Sequence, residues 1–339
     1  MGHSCRFVTS VRLPRHKEID GNRLPAAETT RYRHRSRRRP HQDSSQLCRP
    51  GARCWAHDAY GSGPPPREVG VVRLRFLGPL EASTDDQVTA ISSVQLGTLL
   101  SVLAVHGRQV VTRETLLSVM WEGRPTPSKN ALEAVVMRLR RALDILDGPD
   151  GSAVRTMCGG YVLDVDATDV DFHGFRATLD AARNVRYTDQ RRALELLETA
   201  LSVWRGTPFV GTRDTTLLRL ERVRLERLKA QAEEQLSEIR LELGDDVAAL
   251  EDLWRLTEAA PTRERGVELL MVALFRTGQQ GSAHHVFHGT RKRLRDELGI
   301  DVSPGLQAVY QAVLRHDKVL ETADALTLGP AQRQLRPDP

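Results

Sequence analysis

The 339 residues are enough for two or three domains, and a composition of 40% hydrophobic and 27% charged residues fits a soluble globular protein. The longest apolar run, "VELLMVALF", spans nine residues and contains Glu268, and the N-terminus has no apolar leader core, so neither a membrane helix nor a secretory signal is expected and the protein is read as cytoplasmic. The formal charge of +5 is uneven: residues 1–67 hold 14 Lys+Arg against 5 Asp+Glu, a net of +9, which leaves 35 against 39, a net of −4, for the rest. A claim of nucleic-acid binding must therefore come from a local patch rather than from the overall charge.

Residues 1–67 show no sustained apolar period and contain "RYRHRSRRRP" and "GSGPPPRE", so they read as a disordered basic extension. Three readings stand open: an arm that touches DNA phosphates, a tail without a role, or residues upstream of a true start at Val71 or Val72. The four cysteines, Cys5, Cys48, Cys54 and Cys158, form no CxxC pair. Cys48, Cys54 and His57 cluster only loosely, and reduced thiols without a metal are the expectation.

Order begins at "VVRLRFLGPLEAS", where Val72, Leu74 and Phe76 alternate with Arg73 and Arg75 as in a half-buried strand. Gly78-Pro79 and Asp85-Asp86 mark turns before "QVTAI". A first helix is expected over 92–105, stopping at Gly107. Thr112 is a natural N-cap for a second helix that runs to about Trp121. "EGRPTPS" breaks the chain, Ser128 can cap a third helix over "NALEAVVMRLRRALDILDG", and "AVRTM" and "YVLDV" read as two strands joined by Cys158-Gly159-Gly160. Strands, three helices and a hairpin in that order make a winged helix-turn-helix, assigned to 68–168.

From Asp171 to about His316 the pattern is all helical. "LELGDDVAALEDL" and "FRTGQQGSAHHVF" align at an offset of 34, the tetratricopeptide period, matching Leu241 with Phe275, Gly244 with Gly278, Ala249 with Ala283 and Leu253 with Phe287. The expected fold is thus mainly α: a winged helix-turn-helix (α+β) domain, an all-α tetratricopeptide-like domain over 169–318, and a disordered tail over 319–339.

On a wheel of 100° per residue, Leu132, Val135, Val136, Leu139, Leu143 and Leu146 of the third helix share one face. Asn130, Glu133, Ala134, Met137 and Arg141 lie opposite, with Arg138 and Arg140 on the flanks. From Gly123 to Leu143, five basic residues (Arg124, Lys129, Arg138, Arg140, Arg141) face Glu133 alone, a local net of +4. The bland reading is a solvated helix with arginines toward its C-terminal half. The helix order and the wing favour the other reading, a helix that enters the major groove. Arg138 is then the candidate for a base edge or a phosphate, and Arg140 and Arg141 for phosphates. Glu133 either accepts from a cytosine N4 or repels phosphates. In the wing, Thr156 is a phosphate candidate, and Arg155 a candidate for phosphate or minor groove.

These stretches, with "LRFLGPLEA", "HGRQVVTRETLLSVMW", "RTMCGGYVLDV", "DFHGFRATL", "RERGVELLMVALFRTGQQ" and "RKRLRDELGIDVSPGLQAVYQAVL", resemble the SARP/AfsR-type transcriptional activators of actinobacteria over roughly 71–316. That family joins an OmpR-like winged helix to a bacterial transcriptional activation domain. The resemblance implies an activator of a specialised-metabolite gene cluster that binds direct repeats in double-stranded promoter DNA as a homodimer and helps to recruit RNA polymerase. It maps the family's recognition-helix arginine onto Arg138 and its wing onto Thr156–Tyr161. Val135, Met137 and Cys158 depart from the family's usual choices. Met137 faces out and offers only apolar contact, for example to a thymine methyl, so the departures bear on the operator sequence more than on DNA binding. No G-x-x-x-x-G-K-[ST] occurs, and neither an ATP site nor another cofactor is expected.

Two other readings compete. A protein-interaction adaptor would use the repeats without specific DNA binding. An enzyme would need a site, and His284, His285 and His288 are the nearest candidates. His284 and His288 share a helix face at zinc-ligand spacing, but no HExxH accompanies them, and they read as packing or solvated groups. No nucleophile elbow or dinucleotide fingerprint is present, and no enzyme activity is expected.

Overall fold

A computed structural model describes residues 72–84, 87–125, 129–147 and 153–328. The basic segment 1–67 with Cys5, Cys48, Cys54 and His57, the Asp85-Asp86 turn and the Ser128 cap lie outside the described residues, as do the side chains of Lys129 and Leu146.

Strands β1 (Arg73–Arg75), β2 (Glu81–Ser83) and β3 (Val88–Ala90) form an antiparallel sheet in that order, with Leu74 opposite Ala82 and Ala82 opposite Thr89. The alternation has its expected effect: Leu74 is buried between the exposed Arg73 and Arg75. Helix α1 (Val94–Val105) starts after Ser93, whose side chain accepts from the Leu96 N–H. Strand β4 (Val111–Thr112) leads into α2 (Arg113–Met120), capped by Thr112 Oγ1 accepting from the Thr115 N–H at 3.2 Å. Helix α3 (Lys129–Asp147) follows, then the hairpin of β5 (Val154–Met157) and β6 (Gly160–Leu163). Strand β6 lies between β4 and β5, all antiparallel, so the wing is stitched to the entrance of α2.

The rest is helical: α4 (Asp171–Val185), α5 (Gln190–Ser202), α6 (Thr216–Glu242), α7 (Asp246–Ala259), α8 (Glu264–Arg276), α9 (Gln280–Arg293), a π turn (Leu294–Leu298) and α10 (Pro304–Arg315). The 34-residue offset has a structural counterpart. Gly244 and Gly278 end α6 and α8 with φ of +81° and +74°, a backbone that suits glycine. Ala249 and Ala283 are fully buried where α7 and α9 pack, and Leu253 and Phe287 fill the next turn.

At 168 the mixed α and β elements give way to helices alone, but the apolar core runs on. One buried cluster extends from Val72 to Ile239 and a second from Leu241 to Leu326. The joint is polar as well as apolar. Asp171 accepts from the N–H groups of Phe76, Leu77 and Phe172, each at 2.8 Å, and Phe76, Phe172 and Phe209 meet with ring centroids 5.4–6.0 Å apart. Burial pushes the Asp171 carboxyl above the usual carboxylate range, and the three N–H groups oppose that shift.

The expected tail differs over its first ten residues. Lys318–Glu321 and Ala323–Thr327 form 3-10 turns whose Leu320, Ala325 and Leu326 are buried. Arg276 fastens them by donating to the carbonyls of Leu320 and Thr322, each at 2.7 Å. No helix among the described residues is long and apolar enough to cross a membrane.

Candidate nucleic-acid interface

Helix α3 carries two distinct faces because its apolar residues recur at helical spacing. Leu132, Val135, Val136, Leu139 and Leu143 are buried against the core, which also accounts for Val135 as a packing residue. Asn130, Glu133, Ala134, Met137, Arg138 and Arg141 are exposed, and Met137 retains 53% exposure.

The three clustered arginines have different surroundings. Arg138 reaches back along its own helix, where Nε–H meets the Ala134 carbonyl at 3.4 Å, and its Nη2 donates to Gln95 Oε1 of α1 at 3.0 Å. Arg141 is exposed and, among the described residues, no acidic side chain pairs with it or with Arg124 in the turn after α2. Arg140 is half-buried and turned toward the wing. Its Nε–H donates to the Val154 carbonyl at 2.8 Å and its Nη2 to Thr156 Oγ1 at 2.7 Å. Two residues read from the sequence as phosphate contacts, Arg140 and Thr156, are thus brought together and satisfy one another.

Arg155 is drawn to the base of the wing. It donates to Asp164 Oδ2 at 2.7 Å, and Arg108 bonds the other oxygen of that carboxylate as well as Asp166. The Arg155 bond, partly countered by desolvation and helped by Arg108, holds the Asp164 carboxyl below the usual carboxylate range. Glu133 lies 3.7 Å from Arg113, the first residue of α2, whose guanidinium also sits 5.8 Å from the centre of the Tyr161 ring. The wing tip exposes Met157 and Cys158 beside Gly159, which turns with φ of +84°.

Sequence reasoning missed Gln95, Arg108, Arg113 and Asp164. Their partners are distant in sequence, 43 residues in the case of Gln95 and Arg138, and no local spacing signals such pairs. It also missed Glu122, in the turn that leads to α3. Glu122 accepts from both the backbone N–H and the hydroxyl of Thr216, the first residue of α6, and these bonds lower its pKa.

The histidines of α9 form a hydrogen-bonded group. His284 Nδ1 and His288 Nε2 lie 2.8 and 3.0 Å from the Tyr310 hydroxyl, whose ring stacks on Phe287 at 3.8 Å. Among the described residues, no group of three or more His, Cys, Asp or Glu side chains is placed to hold a metal ion.

Comparison with known proteins matches both halves of the chain. The model of the "Transcriptional regulatory protein, C terminal" family covers residues 93–163, and that of the "Bacterial transcriptional activator domain" family covers 170–314. The chain is 32% identical to transcriptional regulator RedD of Streptomyces coelicolor over 264 residues, 77% of this chain and 75% of that one. It is 30% identical to regulatory protein DnrI of Streptomyces peucetius over 253 residues, 73% of this chain and 93% of that one. With regulatory protein AfsR of S. coelicolor it shares 34% identity over 80% of its own length but spans only 27% of AfsR. Among solved structures, Mycobacterium tuberculosis EmbR in complex with a low-affinity phosphopeptide has the same fold, with a TM-score of 0.69 at 23% identity over 76% of this chain and 69% of that one.

Proposed function

The chain belongs to the SARP/AfsR-type family of bacterial transcriptional regulators, and on that premise we propose that it activates transcription by binding promoter DNA through α3 and the β5–β6 wing. The observation that carries the reading is the outer face of α3. Arg138, Arg141, Met137 and Asn130 stand exposed on one side of a helix whose other side is sealed in the core. A helix of this kind fits the major groove, with arginine as donor to guanine or phosphate and methionine against a thymine methyl.

The charge count supports the same reading: a local +4 lies on a body, residues 68–339, of net −4. That contrast orients the protein on a polyanion without making the whole molecule a nonspecific cation. Arg124 extends the basic strip toward the start of α3, and Lys129 adds a further basic residue there in the sequence. Glu133, 3.7 Å from Arg113, either accepts from a cytosine N4 or repels phosphates, and the Arg113 charge weakens that repulsion. Arg155 contacts DNA by exchanging Asp164 for a phosphate, and Arg140 with Thr156 hold the wing at its angle.

On promoters the protein acts in the cytoplasm as a homodimer on direct repeats, aids RNA polymerase recruitment and controls a specialised-metabolite gene cluster. Footprinting on the promoters beside its own gene tests this. Protection of two equally oriented repeats, weakening steeply as salt rises, is the expected result. Equal affinity for unrelated DNA, or no protection at low salt, would remove the reading and leave an interaction adaptor built on the repeats.

A further inference from the structure

Helix α6 places two exposed large apolar side chains next to one another on a single face. At 100° per residue, Thr216, Leu220, Val223 and Arg227 fall in a strip about 60° wide, directly opposite the buried Leu218 and Leu225. Leu220 is 66% exposed and Val223 58% exposed, on adjacent turns of a helix whose core face is already complete. Arg219 and Arg224 border the strip. Arg219 pairs loosely with the exposed Asp214 at 3.6 Å, a kind of pair that holds little energy, and Arg224 is itself exposed, lying 3.5 Å from the buried Glu221, which also pairs with Arg176. Residues 216–229 carry five basic against two acidic side chains.

We infer that this ridge is a docking surface for an acidic amphipathic segment of the transcription machinery. An apolar centre rimmed by arginine is the composition of a protein–protein contact. Charge complementarity selects the occupant. A second copy placed face to face by a two-fold axis would set arginine against arginine. A DNA backbone would set Leu220 and Val223 against phosphates and leave them no apolar partner. A helix with leucine-like knobs and flanking Asp or Glu satisfies both features.

The location fits this occupant. Glu122, in the turn between α2 and α3, bonds Thr216 at the start of α6. Leu220 lies about 6 Å further along the helix axis. A protein seated on the ridge therefore sits beside the DNA-reading module, where polymerase on the same promoter is within reach. The inference rests on the proposed role as an activator and adds the surface through which it works.

The test uses the full chain with Leu220→Asp/Val223→Asp and Arg224→Glu/Arg227→Glu, purified RNA polymerase holoenzyme and promoter DNA. Both variants are solvent-facing, and thermal unfolding checks that they fold. Promoter affinity is measured without polymerase, holoenzyme binding is measured with and without DNA, and activated transcription is measured last. Promoter affinity within about twofold of wild type, with holoenzyme binding and activation each down about tenfold or more, is expected. Unchanged holoenzyme binding overturns the inference, as does a parallel loss of promoter affinity or a change in oligomeric state. If the wild type binds no promoter, the DNA reading fails on its own, and holoenzyme binding without DNA still decides the ridge.

Discussion

Arg140 of α3 donates through Nη2 to Thr156 Oγ1 of β5 at 2.7 Å while its Nε–H holds the Val154 carbonyl at 2.8 Å, so one side chain ties the groove-reading helix to the wing. Arg140→Ala is expected to lower stability by about 2 kcal/mol, and Thr156→Val by about 1 kcal/mol, in denaturant unfolding. Both should weaken DNA binding evenly across sequences. The salt dependence of binding separates this clasp from a phosphate contact: Arg140→Ala should leave the slope unchanged, whereas a drop of about one would mean that Arg140 meets a phosphate directly.

Gly160 begins β6 at its closest approach to β4. A Cβ there would lie 2.1 Å from the Val111 carbonyl oxygen and 2.8 Å from its carbon, both backbone atoms. Gly160→Ala must push β4 and β6 apart and is expected to cost about 2–3 kcal/mol or to abolish the wing. Gly159→Ala meets open space and only a positive φ, at a cost of about 1–2 kcal/mol. Equal melting temperatures for the two variants would contradict this packing.

Asp171→Ala should be among the most damaging single changes. It leaves the N–H groups of Phe76, Leu77 and Phe172 without their acceptor at the joint between the winged helix and α4, an expected loss of about 3 kcal/mol. Chemical denaturation measures it directly, and a loss below about 1 kcal/mol would show that the joint does not depend on this carboxylate.

Asp301 binds Arg291 through both oxygens, at 3.0 and 3.1 Å, and Arg295 at 2.7 Å. Arg291 first and Arg295 second hold its carboxyl well below the usual carboxylate range. A depressed folded pKa contributes stability that is present above the unfolded value of about 4 and is lost as pH falls through the folded value. The melting-temperature gap between wild type and Asp301→Asn should thus be present at neutral pH and close on acidification below about pH 4. A gap that stays constant to pH 3 would contradict it.

Much of this architecture can be read from periodicity. The core line of α3 follows from Leu132, Val136, Leu139 and Leu143 at helical spacing, and the Thr112 cap and the Gly244 and Gly278 stops follow from local backbone chemistry. Side-chain partners cannot be read this way. Whether Arg140 points to solvent or to Thr156 depends on the approach of β5 to α3, which only the folded chain sets. Asp171 looks like an ordinary first-turn acid until β1 and its following loop arrive beside it. The segment after Lys318 is too short and too polar to show a helical face, yet Leu320 and Leu326 find space against α8 and α6. The exposed Leu220 and Val223 were hidden for the opposite reason: in the sequence they merge with the leucines of the buried face.

The central claim is that the outer face of α3 reads DNA. It is tested most directly by the affinity of Arg138→Ala for the protected promoter repeat and for a scrambled duplex of equal length, at fixed salt. The account predicts that Arg138→Ala loses about 1–3 kcal/mol on the repeat and little on the scrambled duplex, so that discrimination narrows. Unchanged affinity and discrimination in Arg138→Ala, and in Arg138→Ala/Arg141→Ala as well, would contradict it.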